Sequence, residues 1–222
     1  NSSIVNGIPR IGFMKGGVGN YIDGEFSEPD SKVHDHRVVA AIMKDALNGK
    51  VESSTYMFDF DDTLVDKKDI YKDVNSRNLQ YLQINPDFVV VSGNSLNHIN
   101  SKLASRGKFE NNFYVDGGNS LCKWSTNLNR LVFEEYVNSK FVYSQEEVNE
   151  IFDILLENEV PIWKIENRNY NIISIKPLEE NQRKEIYTKL KDSLGDEYEP
   201  KMLGKTTIDI FKKGYDKTVV LD

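Results

Sequence analysis

The sequence predicts an α/β protein with a Rossmann-like, three-layer core around a parallel sheet, into which an α+β cap domain is inserted. The first observation is that apolar, β-prone runs alternate with helix-like runs from residue 54 to residue 107. Such alternation is typical of strand–helix–strand units in a parallel sheet. The second observation is that strand pairs and amphipathic helices follow this region. The change of pattern predicts an insertion that forms a lid over the core.

The core elements are predicted from local patterns. A helix is expected at 33–49, where apolar residues recur at helical spacing and Gly49 stops the run. The following apolar runs are short and β-prone, and each is separated from the next by a helix-like run. In chain order the predicted segments are a short strand "RIGF", a helix "VHDHRVVAAIMKDALNG", a strand "STYMFDF", a helix "VNSRNLQYLQ", a strand "DFVVVSGNS" and a helix "SLNHINSKLASRG".

The later elements have a different character. A hairpin-rich stretch is predicted at "NNFYVDGGNSLCKW" and "RLVFEEYV", and "SQEEVNEIFDILLENE" opens with a capping signature before an amphipathic helix. Two antiparallel strands are expected around "ENRN", then a second amphipathic helix, a short strand "IDIF" and the start of a helix at "GYDKTVVLD". The predicted domains are an N-terminal segment of unassigned role at 1–50, a core at 51–125 and 204–222, and a cap at 126–203.

Composition narrows the classes of function. The 222 residues carry a formal net charge of −7, which disfavours non-specific nucleic-acid binding because that binding depends on Lys and Arg. The single cysteine, Cys122, can form no intrachain disulfide, so a reducing compartment such as the cytoplasm is expected. No apolar run approaches the roughly 20 residues of a membrane span, so no membrane partner is expected.

Two other motifs suggest a nucleotide-binding loop and a metal site, but neither is complete. "KGGVG" has the glycines of a phosphate-binding loop, but Asn20 and Tyr21 stand where such loops carry Lys and Ser or Thr. His34 and His36 lie two residues apart at the start of a predicted helix and therefore point in different directions. No third ligand at zinc-like spacing follows them, and His98 falls within another helix, so ordinary helical roles are expected for all three histidines.

The run "YMFDFDDTLVD" carries the chemistry. Asp59, Asp61 and Asp62 follow an apolar strand, and ligands of parallel α/β sheets bind at the carboxyl ends of the strands. If the strand ends at Phe60, Asp59 is the last side chain that faces this edge, and Asp61 can curl over the same point. One carboxylate could then attack phosphorus while the other transfers protons, with a divalent cation between them.

This run resembles the first motif, Asp-x-Asp-x-Thr, of the haloacid dehalogenase superfamily of phosphohydrolases and mutases. The resemblance implies that Asp59 is the nucleophile and Asp61 the general acid/base, and that both bind Mg²⁺, Asp61 through its backbone carbonyl. The second motif implies that the Ser92 hydroxyl binds the phosphoryl group together with the backbone amides of Gly93 and Asn94. The third implies a Lys that pairs with the nucleophile. Lys217 matches it, with Lys213 as the runner-up.

A closer resemblance, over residues 54–222, is to eukaryotic-type phosphomannomutases. Four landmarks carry it, in the order of that family: Gly117-Gly118, Arg168-Asn169, Asp209-Ile210-Phe211 and Gly214-Tyr215-Asp216-Lys217. The last one selects Lys217 over Lys213. The resemblance implies that Arg168 lies on the cap and holds the distal phosphate or the sugar. With it, the implied substrate-binding set is Thr63, Ser92, Gly93, Asn94, Arg168 and Asp209.

Two departures bear on activity. The mutases have Gly where this chain has Asp62, and their cap carries several arginines, of which only Arg168 and Arg183 have counterparts here. A mutase must hold two phosphates, so a sparse cap favours hydrolysis. The leading expectation is a magnesium-dependent phosphatase of a small phosphorylated metabolite, a sugar phosphate. The alternatives are a phosphomannomutase-type mutase and a non-catalytic binding module of the same fold.

The acidic pair of the superfamily's fourth motif has no clear counterpart. It is expected roughly one helix and one strand after Lys217. The sequence ends at Asp222, and "DGGNS" at 116–120 lies before the cap. Three hypotheses remain: the natural chain continues, a second chain completes the core, or the N-terminal segment supplies the strand through "RIGF" with Asp23, Asp30 or Asp35. We favour continuation or a partner chain.

Overall fold

A computed structural model describes residues 3–5, 8–10, 18–22, 25–30, 35–49, 56–65, 72–203, 206–216 and 219–220. Contacts between Cα atoms group the chain into two compact units. The first comprises 1–92, 96–114 and 122–133, and the second comprises 93–95, 115–121 and 134–222. No helix among the described residues has the length and apolar character that a membrane crossing requires.

The N-terminal strands form two separate antiparallel pairs. Strand β1 (Ser3–Val5) pairs with β2 (Ile8–Arg10), and β3 (Val18–Ile22) pairs with β4 (Glu25–Asp30). Gly19 therefore lies inside a strand, which does not fit a phosphate-binding loop, although residues 11–17 are outside the described set. None of these described strands joins the five-stranded sheet of the chain, so the hypothesis that "RIGF" completes the core gains no support from them.

The predicted core strands lie in a five-stranded sheet of order β5-β6-β7-β8-β9. Strands β5, β6 and β7 are parallel, and in their register Asp59 pairs with Val91. All three residues of β6 are buried, as expected of a strand with parallel neighbours on both sides. The bounds are β5 (Met57–Asp59), β6 (Val89–Val91), β7 (Phe113–Val115), β8 (Ser120–Ser125) and β9 (Arg130–Tyr136).

Among the described residues the first unit contains three helices, and all were predicted, the first from the helical spacing of its apolar residues. They are α1 (Asp35–Leu47), α2 (Lys72–Ile84) and α3 (Leu96–Leu103), and α1 lies against α2. Aromatic rings pack beside β5 and β6, with the Phe58 and Phe88 ring centroids 5.3 Å apart. The Asn111 side-chain amide donates to the backbone carbonyl of Phe88 at 3.0 Å, which ties the approach to β7 to the start of β6.

The second unit is built on an antiparallel sheet of order β10-β11-β13-β12. Its elements are α4 (Gln145–Glu157), β10 (Ile162–Arg168), β11 (Ile172–Pro177), α5 (Arg183–Ser193), β12 (Tyr198–Lys201) and β13 (Ile208–Lys212). The predicted capping signature is confirmed, because Ser144 and Glu147 form a reciprocal capping box at the start of α4. Alternate residues of the central strands, such as Ile173 and Ile210, are buried with apolar residues of α4 and α5.

Strand pairing differs from the predicted domain boundaries at two places. The strand "IDIF" was assigned to the core at 204–222, but β13 pairs antiparallel with β11 and β12 in the second sheet. Ile208 and Ile210 are buried with the helices of that unit, and this burial fixes the strand there. The cap was predicted to begin at 126, but β9 belongs to the five-stranded sheet with β5.

A glycine is required where the chain leaves β7. Gly117 has φ of +80°, and the hydroxyl of Tyr215 donates to the neighbouring Asp116 carbonyl at 2.8 Å. A Cβ atom at Gly117 would overlap the Tyr215 hydroxyl, so only a residue without a side chain fits. Tyr215 itself is buried and stacks on Phe211, with ring centroids 4.9 Å apart.

Candidate functional site

The first predicted site residues sit at the carboxyl edge of the parallel strands. Asp59 is the last residue of β5, and Ser92 is the first residue after β6. Because Asp59 pairs with Val91, the two positions are neighbours along the same edge. The Phe60 backbone N–H donates to Asp59 Oδ1 at 3.0 Å, and the Ser92 N–H donates to the Tyr114 carbonyl at 2.7 Å. The strand was expected to end at Phe60 and ends one residue earlier, at Asp59, while Ser92 follows the buried β6 as expected.

The chain after Asp59 forms a tight turn that returns on itself. The N–H groups of Leu64 and Val65 donate to the Phe60 carbonyl, each at 3.0 Å, and Asp61 makes a β-bridge with Val65. Asp62 has φ of +57°, a left-handed conformation that Asp tolerates better than most residues do. Asp62, which stands where the mutases have Gly, is therefore compatible with the conformation of this turn.

A histidine contacts the predicted acid/base residue. Asp61 is buried, and its Oδ1 lies 3.1 Å from His98 Nε2 on α3. The sequence analysis assigned His98 no functional role, because a histidine inside a helix carries no local signal for a contact with a residue 37 positions away. His98 is the residue that the sequence analysis missed in this part of the site.

Within the second unit, Arg168 is the centre of a buried polar group. Its Nη2 donates to Ser174 Oγ at 3.0 Å, and Ser174 Oγ in turn donates to Asp209 Oδ1 at 2.5 Å. Arg168 Nη1 donates weakly to the Gly93 carbonyl at 3.4 Å, and Nε lies 3.8 Å from a Glu166 carboxylate oxygen. The Arg168 guanidinium therefore forms an ion pair with Glu166, and the predicted contact with a ligand would involve the same group.

The sheet face that carries Arg168 also carries two lysines. Lys164 and Lys176 pair directly across β10 and β11, an arrangement in which like charges destabilise a sheet. Lys176 Nζ lies 4.6 Å from the centre of the Trp163 ring, and Lys164 Nζ lies 3.7 Å from Glu166. An open pocket of about 200 Å³ lies here. Its lining residues are Trp163, Lys164, Glu166, Ser174, Lys176 and Thr207. This lysine pair was not predicted, because only arginines were considered as positive charges of the cap.

Asp116 is an unusual buried acid of the second unit. It is 1% exposed, has φ of +53°, and its Oδ1 has no hydrogen-bond partner. Burial raises the pKa of its carboxyl to about 6, while a hydrogen bond with Ser120 and the charge of Arg168 oppose that rise. Glu166 adds to the rise by repulsion. Asp116 is therefore partly protonated near neutral pH.

The raised pKa makes stability depend on pH. The folded state holds the Asp116 proton more tightly than the unfolded state does, so the unfolding free energy falls as the pH rises from about 4 to about 6. The shift corresponds to a loss on the order of 3 kcal/mol. We expect Asp116→Asn to flatten this part of the profile in urea unfolding at pH 4.5 and pH 7.5. The exposed Asp192→Asn is the control, and equal slopes in all three proteins would contradict the assignment.

The predicted site residues divide between the two units. Asp59, Asp61, Thr63 and Ser92 belong to the first, and Thr63 is buried in the turn after β5. Gly93, Asn94, Arg168 and Asp209 belong to the second. Lys213 is exposed and lies 3.9 Å from Asp196. Lys217, the predicted third-motif lysine, lies outside the described residues.

The oxygen atoms of Asp59 and Asp61 decide whether the predicted site can bind magnesium. Mg²⁺ prefers oxygen ligands and is commonly held by one or two carboxylates together with waters and substrate phosphates. The Asp59 carboxylate and the backbone carbonyl that the resemblance assigns to Asp61 would supply two oxygen ligands, which matches the smallest of these arrangements. Over the part of the chain that the structure describes, no group of three or more His, Cys, Asp or Glu side chains is arranged to hold a metal ion. The fourth-motif acids are thus not found among these residues.

Comparisons with known proteins bear on the fold. No protein-family model and no curated protein matches the sequence. A haloacid dehalogenase-like hydrolase from Bacteroides thetaiotaomicron is similar in structure, with a TM-score of 0.51, 14% identity and coverage of 75% of this chain and 73% of its own. Trehalose-6-phosphate phosphatase from Aspergillus fumigatus gives a TM-score of 0.39 at 17% identity, with 74% and 61% covered. IMP-nucleotidase from Plasmodium falciparum gives 0.44 at 12% identity, with 88% and 60% covered.

Of these three likenesses, the first exceeds a TM-score of 0.5, and at 14% identity it bears on the fold alone. The parallel strands β5, β6 and β7, with α2 and α3 between them along the chain, are consistent with that fold. The chain therefore has the α/β fold of haloacid dehalogenase-like hydrolases.

Proposed function

We propose that this chain is a phosphatase that hydrolyses a small sugar phosphate through an aspartyl-phosphate on Asp59, with Mg²⁺ as cofactor. One observation carries the proposal: Asp59 ends β5 at the same edge of the sheet where Ser92 follows β6, with Asp61 in the adjoining turn. A nucleophile, a second carboxylate and a hydroxyl thus follow neighbouring parallel strands of a hydrolase-like fold.

In the proposed first step, a carboxylate oxygen of Asp59 attacks phosphorus and the bond to the leaving alkoxide breaks. Asp61, protonated, donates its proton to that leaving oxygen. In the second step Asp61, now ionised, takes a proton from water as the water oxygen attacks the phosphorus. The P–O bond to Asp59 breaks, which releases inorganic phosphate and restores Asp59 as a carboxylate and Asp61 as the protonated acid.

Other residues of the chain hold the transferred group. Ser92 would donate its hydroxyl to a phosphoryl oxygen, and the resemblance gives Lys217 the role of a positive charge for the same group. Asp59 and Asp61 would hold the cation. When bound, Mg²⁺ offsets the repulsion between the phosphate dianion and the attacking carboxylate.

A sugar phosphate is the substrate class that the second unit supports best. The exposed Trp163 offers an apolar ring face, and Glu166, Ser174 and Thr207 offer hydrogen-bonding groups around the same pocket. Lys164 and Lys176 provide positive charge for an anionic substituent. Together they match the mixed apolar and polar surface of a phosphorylated sugar.

We expect the double variant Lys164→Gln/Lys176→Gln to raise KM for a sugar phosphate by about 10-fold or more, because a hydrogen bond to a charged group is worth about 1.5–3 kcal/mol. The turnover number should change little. Lys184→Gln/Lys191→Gln, on the exposed face of α5, makes the same change in net charge and serves as the control. Steady-state kinetics measure KM and the turnover number of both variants. If KM were unchanged in Lys164→Gln/Lys176→Gln, the lysine pair would not be part of the substrate site.

The same lysine pair favours a second candidate, a phosphomannomutase-type sugar phosphomutase. A mutase needs positive charge for a second phosphate, and Lys164 and Lys176 add it beside Arg168. Incubation of mannose-6-phosphate with a bisphosphate activator distinguishes the two functions. Phosphate release supports the phosphatase, and formation of mannose-1-phosphate supports the mutase.

A screen of sugar phosphates with and without Mg²⁺ tests the proposed function directly. We expect phosphate release that requires Mg²⁺, and a beryllofluoride adduct on Asp59 that forms only with the metal. Absence of both turnover and adduct would overturn the proposal in favour of a non-catalytic binding module.

A further inference from the structure

We propose that His98 is a positioning residue that orients the Asp61 carboxylate for proton transfer, a role that rests on the proposed phosphatase function. His98 Nε2 lies 3.1 Å from Asp61 Oδ1, within hydrogen-bond distance. The Asp61 side chain is 5% exposed and that of His98 is 35% exposed. The Asp61 carboxyl is thus nearly covered by the protein, while the imidazole of His98 remains partly exposed to solvent.

The backbone that carries Asp61 is tightly held. The N–H of Asp62 donates to the Val65 carbonyl at 2.6 Å, and the side-chain amide of Asn78 donates to the Leu64 carbonyl at 2.9 Å. These bonds fix the turn and its attachment to α2. These bonds act on the backbone, whereas the contact with His98 acts on the carboxyl itself and favours one direction of its oxygens.

The backbone that carries His98 is held independently. Ile99 and Leu103 bury one face of α3. Asn100 exchanges two hydrogen bonds with Leu131: its Nδ2 donates to the Leu131 carbonyl at 2.9 Å, and its Oδ1 accepts from the Leu131 N–H at 2.8 Å. The imidazole therefore extends from a helix anchored to β9.

A contact between two fixed elements can orient a catalytic group. With Nε2–H of His98 donating to Oδ1, rotation of the Asp61 carboxyl is restricted and Oδ2 is presented in one direction. Proton transfer requires the donor oxygen within about 2.6–3.2 Å of its target, so a carboxyl that rotates over a wider range spends less time in the reactive arrangement. Misplacement by about 1 Å can cost on the order of 100-fold in rate.

The test compares His98→Leu with His98→Gln. Leu fills a similar volume without a donor, whereas the Gln side-chain amide can donate near the position of Nε2. We expect His98→Leu to lower kcat by about 10- to 100-fold with KM nearly unchanged, and His98→Gln to recover most of that loss. Asn97→Leu, on the exposed neighbouring position, is the control, and thermal melting checks that each variant is folded.

Nitrogen NMR of the imidazole gives a readout that does not depend on turnover. The His98 Nε2 signal should shift between the wild-type protein and Asp61→Asn. An unchanged signal, or a wild-type kcat in His98→Leu, overturns the positioning role while the phosphatase function stands. Equal loss of kcat in the Leu and Gln variants also overturns it, since donation by the side chain is then not what matters. A shifted signal in a protein that hydrolyses no phosphate ester overturns both proposals.

Discussion

Asp59→Asn is expected to release no measurable phosphate, a loss of about 10⁴-fold or more, because an amide cannot form the aspartyl-phosphate. Asn has nearly the volume of Asp, and its carbonyl oxygen can still accept the hydrogen bond that the Phe60 N–H donates at 3.0 Å. The fold should therefore survive. Phosphate release measures turnover, and circular dichroism with thermal melting measures the fold.

The turn supplies a matched control for this variant. Asp62 is exposed, lies three residues after Asp59, and has φ of +57°, a conformation that Asn tolerates as well as Asp does. Asp62→Asn makes the same chemical change and should keep turnover within a few-fold of wild type. If Asp59→Asn turned over at the rate of Asp62→Asn, Asp59 would not be the nucleophile.

Asp61→Asn is expected to slow turnover by about 10²–10⁴-fold, the usual contribution of general acid–base catalysis. The loss should depend on the leaving group. An alkyl phosphate needs a proton on its leaving oxygen, whereas p-nitrophenyl phosphate has a good leaving group and needs little help. Hydrolysis of the phospho-enzyme still needs a base for either substrate.

Rapid-quench experiments separate these steps. With p-nitrophenyl phosphate, Asp61→Asn should give a burst of p-nitrophenol followed by a slow steady rate, as the phospho-enzyme accumulates. With a sugar phosphate the burst should be absent. Equal slowing of both phases with both substrates would contradict the acid/base role of Asp61.

Much of the core and part of the site could be predicted because their signals are local. An apolar run that ends in Asp59 predicts a strand with a carboxylate at its end, and β5 ends at that residue with Phe58 buried. The same holds for Ser92 after the all-buried β6 and for the capping box of Ser144 and Glu147. Each pattern spans a few residues, so neighbouring positions alone determine it.

The features that could not be predicted depend on pairing between distant parts of the chain. His98 and Asp61 are 37 positions apart, and nothing near either residue indicates the other. Lys164 lies opposite Lys176 in the register that places Arg168 opposite Ile172, and the irregularity of β10 comes only beyond this pair, between Ile162 and Lys164. The membership of β13 in the second sheet rests on its pairing with β11, about 35 residues earlier along the chain.

The position of β13 also affects how the protein folds during synthesis. In the order β10-β11-β13-β12 the strand made last lies inside the sheet, and the Tyr215 hydroxyl bond to Asp116 spans 99 residues. Until Ile208–Lys212 leaves the ribosome, β11 has one edge of unpaired backbone groups, a template for pairing with other nascent chains. Strands β5 and β6 emerge far earlier. We therefore expect the sheet of the second unit to be completed later than the pairing of β5 with β6.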